Sequence, residues 1–316
     1  MHGLIVKISS LGDIVCTLPA VTDAQIHYPE ITFDWVTEEG FCEIPSFHPA
    51  VRKVIPFALR RWRYQLGKIS TYREIKDFYR QLRTTSYDFI IDPQGLLKSA
   101  LVGCLAHGTT HGFNFASIRE QFAACFYKHR YPAKQKLHTV TRIRELFAQA
   151  LGYSVPTTFG NYGLKIERKI AEPRYLILLH GTSRANKCWS EEQWIELAKM
   201  AVNNGFIPKI PWGNAEELSR ANRIAKAVPN AIVLPQLNLT ELAKLLAAAT
   251  GVVTVDTGLG HLAAALALPS VALYGPTDPL LAGTWGYNQT HLTQMAKVPA
   301  TLVWNTLQNT IHHTAY

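Results

Sequence analysis

A chain of 316 residues, 47% hydrophobic and 17% charged, suits two cores of roughly 150 residues each and is too apolar for a disordered protein. No apolar run reaches the ~18 residues of a bilayer-spanning helix, and MHGLIVKISS reads as a strand followed by polar residues, unlike a secretory leader, so a cytoplasmic location is expected. The formal net charge of +9 calls for a partner rich in anions: nucleic acid, an anionic membrane surface, or a phosphorylated or carboxylated small molecule.

Along the chain, an apolar strand over 4–8 runs into SSLGD and a helix over 12–27. Further strands are expected at 31–36, 51–57 and 88–92, with helical spacing over 72–84 between the last two. This alternation is the βαβ pattern of a parallel sheet. Residues 52–83 hold ten Lys or Arg against Glu74 and Asp77, and residues 119–144 hold seven against Glu120. Within the first window, LRRWR sets three arginines around a tryptophan, an arrangement expected to need an outside anion. His107 and His111 have i, i+4 spacing, but HGTTHG reads as a turn. A helix near 134–151 closes a domain over 1–153, and the Gly-, Pro- and Thr-rich stretch 154–173 is expected to link it to the next.

The second half repeats the alternation over 174–298. Strands are expected at 175–180, 206–211, 231–234, 251–256 and 270–274, and helices at 191–203, 215–227, 239–248 and 259–267. SEEQW announces a capping box with Ser190 as cap and Gln193 at the third position. Residues 299–316 read as a last helix of unassigned packing. The five cysteines are odd in number and form no C-x-x-C pair, which argues for core thiols and against disulfides or zinc. Two α/β domains with a cleft between them follow, and ligands are expected beyond the carboxyl ends of the strands.

Four strand ends carry the chemistry. SSLGD places Asp13 at a helix start, where a carboxylate can cap or can take a proton from an incoming hydroxyl. HGTSRANKCW places Lys187, with Thr182 and Ser183, where a cation can meet a leaving diphosphate. PWGNAEE brings Glu217 to a helix start, able to accept from ribose hydroxyls. VDTGLGHLAAAL offers Asp256, Thr257, Gly258 and His261 around a helix N-terminus suited to phosphate. Gly258, Gly260 and Ala263 match G-x-G-x-x-A, but the turn does not follow the first strand of its domain and Asp278 lies in a loop, so a bare phosphate-binding helix end is the better reading. There is no D-x-D and no His or Cys ligand set, so a metal-independent reaction is expected.

Taken together, KISSLGDIVCTLPA, FDWVTEEGF, LRRWR, DPQGLLKSAL, HGTSRANKCW, VDTGLGHLAAAL and YGPTDP resemble the lipopolysaccharide heptosyltransferase I family (ADP-heptose:LPS heptosyltransferases, glycosyltransferase family 9), in order from Met1 to about Pro279. The resemblance implies an α/β GT-B glycosyltransferase fold of two Rossmann-like domains with parallel sheets facing across a cleft, acceptor on the N-terminal side and nucleotide sugar on the C-terminal side. It implies inverting transfer of L-glycero-D-manno-heptose from ADP-heptose to the inner Kdo of Kdo-lipid A. Asp13 then matches the catalytic base and Lys187 the phosphate-binding lysine, with Thr182, Ser183, Glu217, Leu237, Asp256, Thr257, Gly258 and His261 on the donor side. Lys7, Ser10, Arg60, Arg61, Arg63, Lys98, Arg119, His138 and Arg142 match the acceptor side, where Kdo carboxylates and lipid A phosphates need cations. No cofactor, metal, nucleic acid or obligate protein partner is implied. The enzyme would sit peripherally on the anionic cytoplasmic face of the inner membrane of a Gram-negative bacterium. Three other readings compete: a sister heptosyltransferase acting on a heptosylated core, an NAD-dependent oxidoreductase using the glycine turn, and a nucleic-acid-binding module using RRWRY.

Overall fold

The computed structural model describes residues 1–134, 136–182 and 184–314, and the chain divides into two compact units, Met1–Lys165 and Ile166–Tyr316. In the first, β1 (His2–Val6) leads to α1 (Leu11–Val15), α2 (Leu18–His27), β2 (Thr32–Glu38), α3 (Glu43–Ser46), β3 (Val51–Phe57), α4 (Leu59–Tyr64) and α5 (Ile69–Arg83). Then come β4 (Phe89–Asp92), α6 (Leu97–Leu105), β5 (Thr110–Phe113), β6 (His129–Tyr131) and α7 (Thr139–Leu151). The strands form one parallel sheet in the order β3-β2-β1-β4-β5-β6. β1 is paired on both edges and Leu4, Ile5 and Val6 are wholly buried, so a continuous apolar run stands where a half-exposed strand would alternate. One face packs Leu4, Val6, Ile8 and Val36 against Trp62, Phe78 and Leu82.

Residues 12–27, expected as one helix, form two. Pro19 lacks an N–H and its ring opposes the carbonyl of Val15, so the first helix stops and the second starts with Pro19 in its first turn. The helix expected from 134 begins at Thr139, where His138 Nδ1 caps it by accepting from Val140 N at 3.2 Å. HGTTHG is not simply a turn: His111 lies in β5, stacked on His129 and Tyr131. No cysteine is in a disulfide, and Cys16 is buried, but Cys104 and Cys125 lie exposed and so are not core residues.

The second unit holds β7 (Tyr175–Leu179), α8 (Glu191–Asn203), β8 (Ile207–Ile210), α9 (Ala215–Ala227), β9 (Ile232–Val233), α10 (Leu239–Ala247) and β10 (Gly251–Val255). It continues through α11 (Gly258–Ala265), β11 (Ser270–Leu273), α12 (Pro279–Ala282), β12 (Gln289–Leu292) and α13 (Ala300–Thr314). Its parallel sheet runs β12-β11-β10-β7-β8-β9, the same strand order as the first when counted from its own first strand. α13 packs on α8 and on β10 to β12 through Val303, Trp304 and Leu307, so the chain's last helix belongs to this core. Ser190 caps α8 as expected by accepting from Gln193 N, but the Gln193 carboxamide does not close a box: its oxygen accepts from Ala300 N at 2.6 Å, joining α8 to the start of α13.

His48 is buried against α2 of the first unit. Its Nδ1 accepts from Ala50 N at 3.1 Å, so Nε2 carries the proton and donates to Thr22 Oγ1 at 2.9 Å. Burial holds its pKa down at about 4, below the ~6.5 of an unfolded histidine. The unfolded chain therefore binds the proton more readily between those values, and the stabilisation is full above pH ~6.5 and fades as pH falls toward 4. Thermal melts over this range should show a falling Tm, and His48→Gln should flatten the fall. An equally steep profile in the variant would remove His48 as a contributor.

Candidate functional site

Each sheet reverses its strand order beside its first strand, between β1 and β4 and between β7 and β10, and loops beyond such points form crevices. Beyond β1 and β4 lies a cavity of about 570 Å³ lined by Lys7, Ser10, Asp13, Gln94, Arg119 and Arg142, among others. Asp13 sits in the first turn of α1, its side chain 40% exposed. Ser10 donates to Asp13 Oδ2 from its backbone N–H at 2.9 Å and its hydroxyl at 2.8 Å, and the Lys7 ammonium stands 3.7 Å from Oδ1. The carboxylate is thus both a cap and a fixed, water-accessible proton acceptor on a cationic wall. Lys7 is buried and donates to Pro93 O, while Lys98 reaches Ser9 Oγ at 3.4 Å.

Arg142, on α7, donates to Ser117 O at 2.6 Å and lies over the Phe113 ring. Its Nε is buried without a partner among the described residues, and burial lowers its pKa from the ordinary guanidinium value. Gln94 is in the same position: Oε1 accepts from Ile8 N at 2.6 Å, but Nε2 is buried and unpartnered among the described residues. Unmet donors of this kind are costly and mark where a ligand's acceptors fit. Within DPQGLLKSAL nothing in the local pattern marks Gln94 as a site residue; what betrays it is its place just after the end of β4, the other side of the switch point. Behind it, buried Asp92 accepts from Gln94 N, Gly95 N and Tyr127 OH, and burial raises its carboxyl above the usual range.

The α4 arginines and His138 do not line this cavity. Arg61 pairs with Glu39 at 2.9 Å and Glu74 at 2.8 Å, and Trp62 is buried with its indole N–H on Glu74. Arg61 therefore finds its anions within the fold, from residues 22 and 13 positions away, contrary to the expectation that the stretch needs an outside one for all three arginines. Arg60 lies over the Phe41 ring and Arg63 is exposed. His138 is buried at the cap of α7.

In the second unit, Lys187 Nζ donates to Asp256 Oδ2 at 2.5 Å, and Thr182 Oγ1 donates to the Asp256 carbonyl at 3.0 Å. Residues from the ends of β7 and β10 thus meet at the switch point. Asp256 is not the cap of α11, because Thr257 holds that position and Gly258 opens the helix; the Asp256 carboxylate is committed to Lys187. The short side of Gly181 is used by Glu217: a Cβ at Gly181 would lie 2.4 Å from its carboxylate, which also accepts from Gly213 N at 2.7 Å. Glu217 N in turn donates to Asn214, the cap of α9. His261 is buried in α11, and Leu237 is half-buried before the Asn238 cap of α10. Ser183 lies outside the described residues. Among the described residues no cluster of three or more His, Cys, Asp or Glu is placed to hold a metal ion.

The chain matches the glycosyltransferase family 9 (heptosyltransferase) model over residues 75–308. It is 49% identical to lipopolysaccharide heptosyltransferase 1 of Pseudomonas aeruginosa, over 92% of this chain and 83% of that protein. To lipopolysaccharide heptosyltransferase 2 of Salmonella typhimurium the identity is 26%, over 88% of this chain and 84% of that protein. The solved structure of Escherichia coli heptosyltransferase WaaC with ADP superposes with a TM-score of 0.93 at 43% identity, covering 98% of this chain and all of that one. The same enzyme with ADP-2-deoxy-2-fluoro heptose gives 0.89 at 43% identity, covering 98% and 99%. Two six-stranded parallel sheets with flanking helices are thus the Rossmann-like halves of a GT-B fold, and the chain belongs to glycosyltransferase family 9, the heptosyltransferases.

Proposed function

We propose that the chain transfers L-glycero-D-manno-heptose from ADP-heptose to the inner Kdo of Kdo-lipid A, inverting the anomeric carbon, in lipopolysaccharide inner-core assembly. The observation that carries this is the near-full-length identity of 49% to a heptosyltransferase 1, against 26% to a heptosyltransferase 2, which favours the first heptose over the second. In the reaction the acceptor hydroxyl oxygen bonds to the anomeric carbon as the bond from that carbon to the β-phosphate oxygen breaks. The hydroxyl proton passes to Asp13, and ADP leaves with the electron pair. General-base help of this kind contributes about 10²- to 10⁴-fold.

Lys7, Lys98, Arg119 and Arg142, with Ser10 and Gln94, hold the Kdo carboxylates; Arg60 and Arg63 extend the acceptor side beyond the cavity, and Arg61 and His138 support it structurally, through the Glu39 and Glu74 pairs and the cap of α7. On the donor side, Lys187 exchanges part of its contact with Asp256 for the diphosphate. Thr182, Ser183, Thr257, Gly258 and His261 line the phosphates, and Glu217 and Leu237 meet the nucleoside. The leaving-group charge is met by Lys187 and the α11 N-terminus without a metal. The enzyme works from the cytoplasmic face of the inner membrane, where a lipid-anchored acceptor resides; no helix among the described residues is long and apolar enough to cross a membrane.

The test is transfer of radiolabelled heptose from ADP-heptose to de-acylated Kdo-lipid A in EDTA. Product formation supports donor, acceptor and metal independence together. Absence of product with Kdo-lipid A, but transfer to a heptosylated core, would replace this reading with the sister activity. Lys187→Ala is expected to lower kcat/KM by about 10²-fold and to weaken ADP binding in a calorimetric titration. Unchanged ADP affinity would remove Lys187 from the phosphate site.

A further inference from the structure

The outer face of α5 has no role in the reading above. Its inner face is spent on the core: Thr71, Phe78 and Leu82 are buried, with Ile75 half-buried beside them. On the exposed side next to it, Ile69, Tyr72, Lys76, Tyr79 and Arg83 recur at i, i+3, i+7, i+10 and i+14, which at 3.6 residues per turn makes one stripe about 80° wide. Ile69 is 73% exposed, Tyr72 61% and Tyr79 41%. Tyr64, the last residue of α4, 92% exposed, and Leu66 in the turn before α5, 53% exposed, add to it. Other large apolar residues at such exposure, such as Phe122 and Tyr287, lie far from this stretch in the chain, and single exposed apolar residues are ordinary.

The stripe holds no carboxylate. Arg73 and the Asp77-paired Arg80 flank it, the Arg83 guanidinium lies 5.4 Å from the Tyr79 ring centroid, and Glu74 is turned to Arg61 and Trp62. We propose that this α5 face, with the turn before it, is a docking surface for a bilayer rich in anionic lipid. Charge complementarity and side-chain type select that occupant. Cations draw the face to an anionic leaflet, tyrosine rings sit with one end wet and one dry at headgroup depth, and Ile69 and Leu66 enter the acyl boundary. A nucleic acid would stack on the tyrosines but gains nothing from exposed aliphatic side chains. The helix is held by its inner face, so the contact is shallow and the unit rides on the membrane. The inference rests on the acceptor reading only in that a lipid-linked acceptor lies in a bilayer.

The experiment is co-sedimentation of the full chain with vesicles of phosphatidylcholine, with and without phosphatidylglycerol, beside transfer to water-soluble de-acylated acceptor. The variants are Ile69→Ser with Tyr72→Ser, which removes apolar contact, and Lys76→Glu, which reverses a charge. Wild type should bind the phosphatidylglycerol vesicles in a salt-sensitive way. Each variant should weaken binding, Lys76→Glu by about fivefold or more, while transfer to soluble acceptor and Tm stay at wild-type values. Variants that sediment with vesicles as wild type does would overturn the proposal. So would loss in the variants of salt-sensitive binding to a single-stranded RNA oligonucleotide with vesicle binding intact. Absence of transfer by wild type on the soluble acceptor would instead count against the acceptor reading, whatever the vesicles show.

Discussion

Asp13→Ala is expected to lower transfer by about 10²- to 10⁴-fold while leaving ADP affinity at the wild-type value. The two halves of this expectation have separate origins. Asp13 stands in the first unit beside Lys7 and Ser10, and the phosphate-binding candidates Lys187, Thr257 and Gly258 belong to the second. The alanine variant alone is ambiguous, because Asp13 also accepts from Ser10 N and Oγ, and losing such a cap costs about 1 kcal/mol. Asp13→Asn resolves this. Its amide oxygen still accepts from Ser10, so the turn survives, but it cannot take a proton. An equal loss in both variants, with Tm of the asparagine variant near wild type, assigns the carboxylate to proton transfer. Substantial turnover in Asp13→Asn would reduce Asp13 to a cap and leave the base unassigned.

Much of this site was visible in the sequence because strand ends in parallel sheets are where glycines, caps and lone charges stand out. Lys187 and Asp256 are 69 residues apart, yet each follows an apolar strand, and the topology brings those two strands side by side. Edge elements were harder. β6 is three residues, HRY, and β12 is QTHL; neither carries an apolar period, and both owe their conformation to the neighbouring strand. β5, THGF, hides its strand character because Gly112 must leave room for the Tyr127 ring, which lies 2.3 Å from where a Cβ would stand. The pairing of Arg61 with Glu39 and Glu74 was invisible for another reason. It joins α4 to the turn after β2 and to α5, and local charge counting cannot tell an arginine awaiting a ligand from one already satisfied across the fold.

The same blindness to distant partners applies to the ion pair expected to matter most for stability. Arg144 on α7 and Asp23 on α2 are 121 residues apart and almost wholly buried, 3% and 2% exposed. Arg144 Nε and Nη2 meet the two Asp23 oxygens at 2.6 and 3.3 Å, and the remaining donors reach the carbonyls of Thr158 and Pro156. One guanidinium thus joins two helices and the segment after α7. Arg144→Met should destabilise the first unit by about 3–5 kcal/mol, because it strands Asp23 as a buried charge. Breaking the exposed Arg80–Asp77 pair should cost about 1 kcal/mol or less. The double variant Asp23→Leu with Arg144→Met removes both charges and should recover much of the loss. Recovery stays partial, since the carbonyls at 156 and 158 keep no replacement donor. Urea unfolding of wild type, both single variants and the double variant gives the coupling directly. Additive single losses would show that the pair acts as two independent residues, and a loss under 1 kcal/mol in Arg144→Met would show that water reaches Asp23 despite its burial.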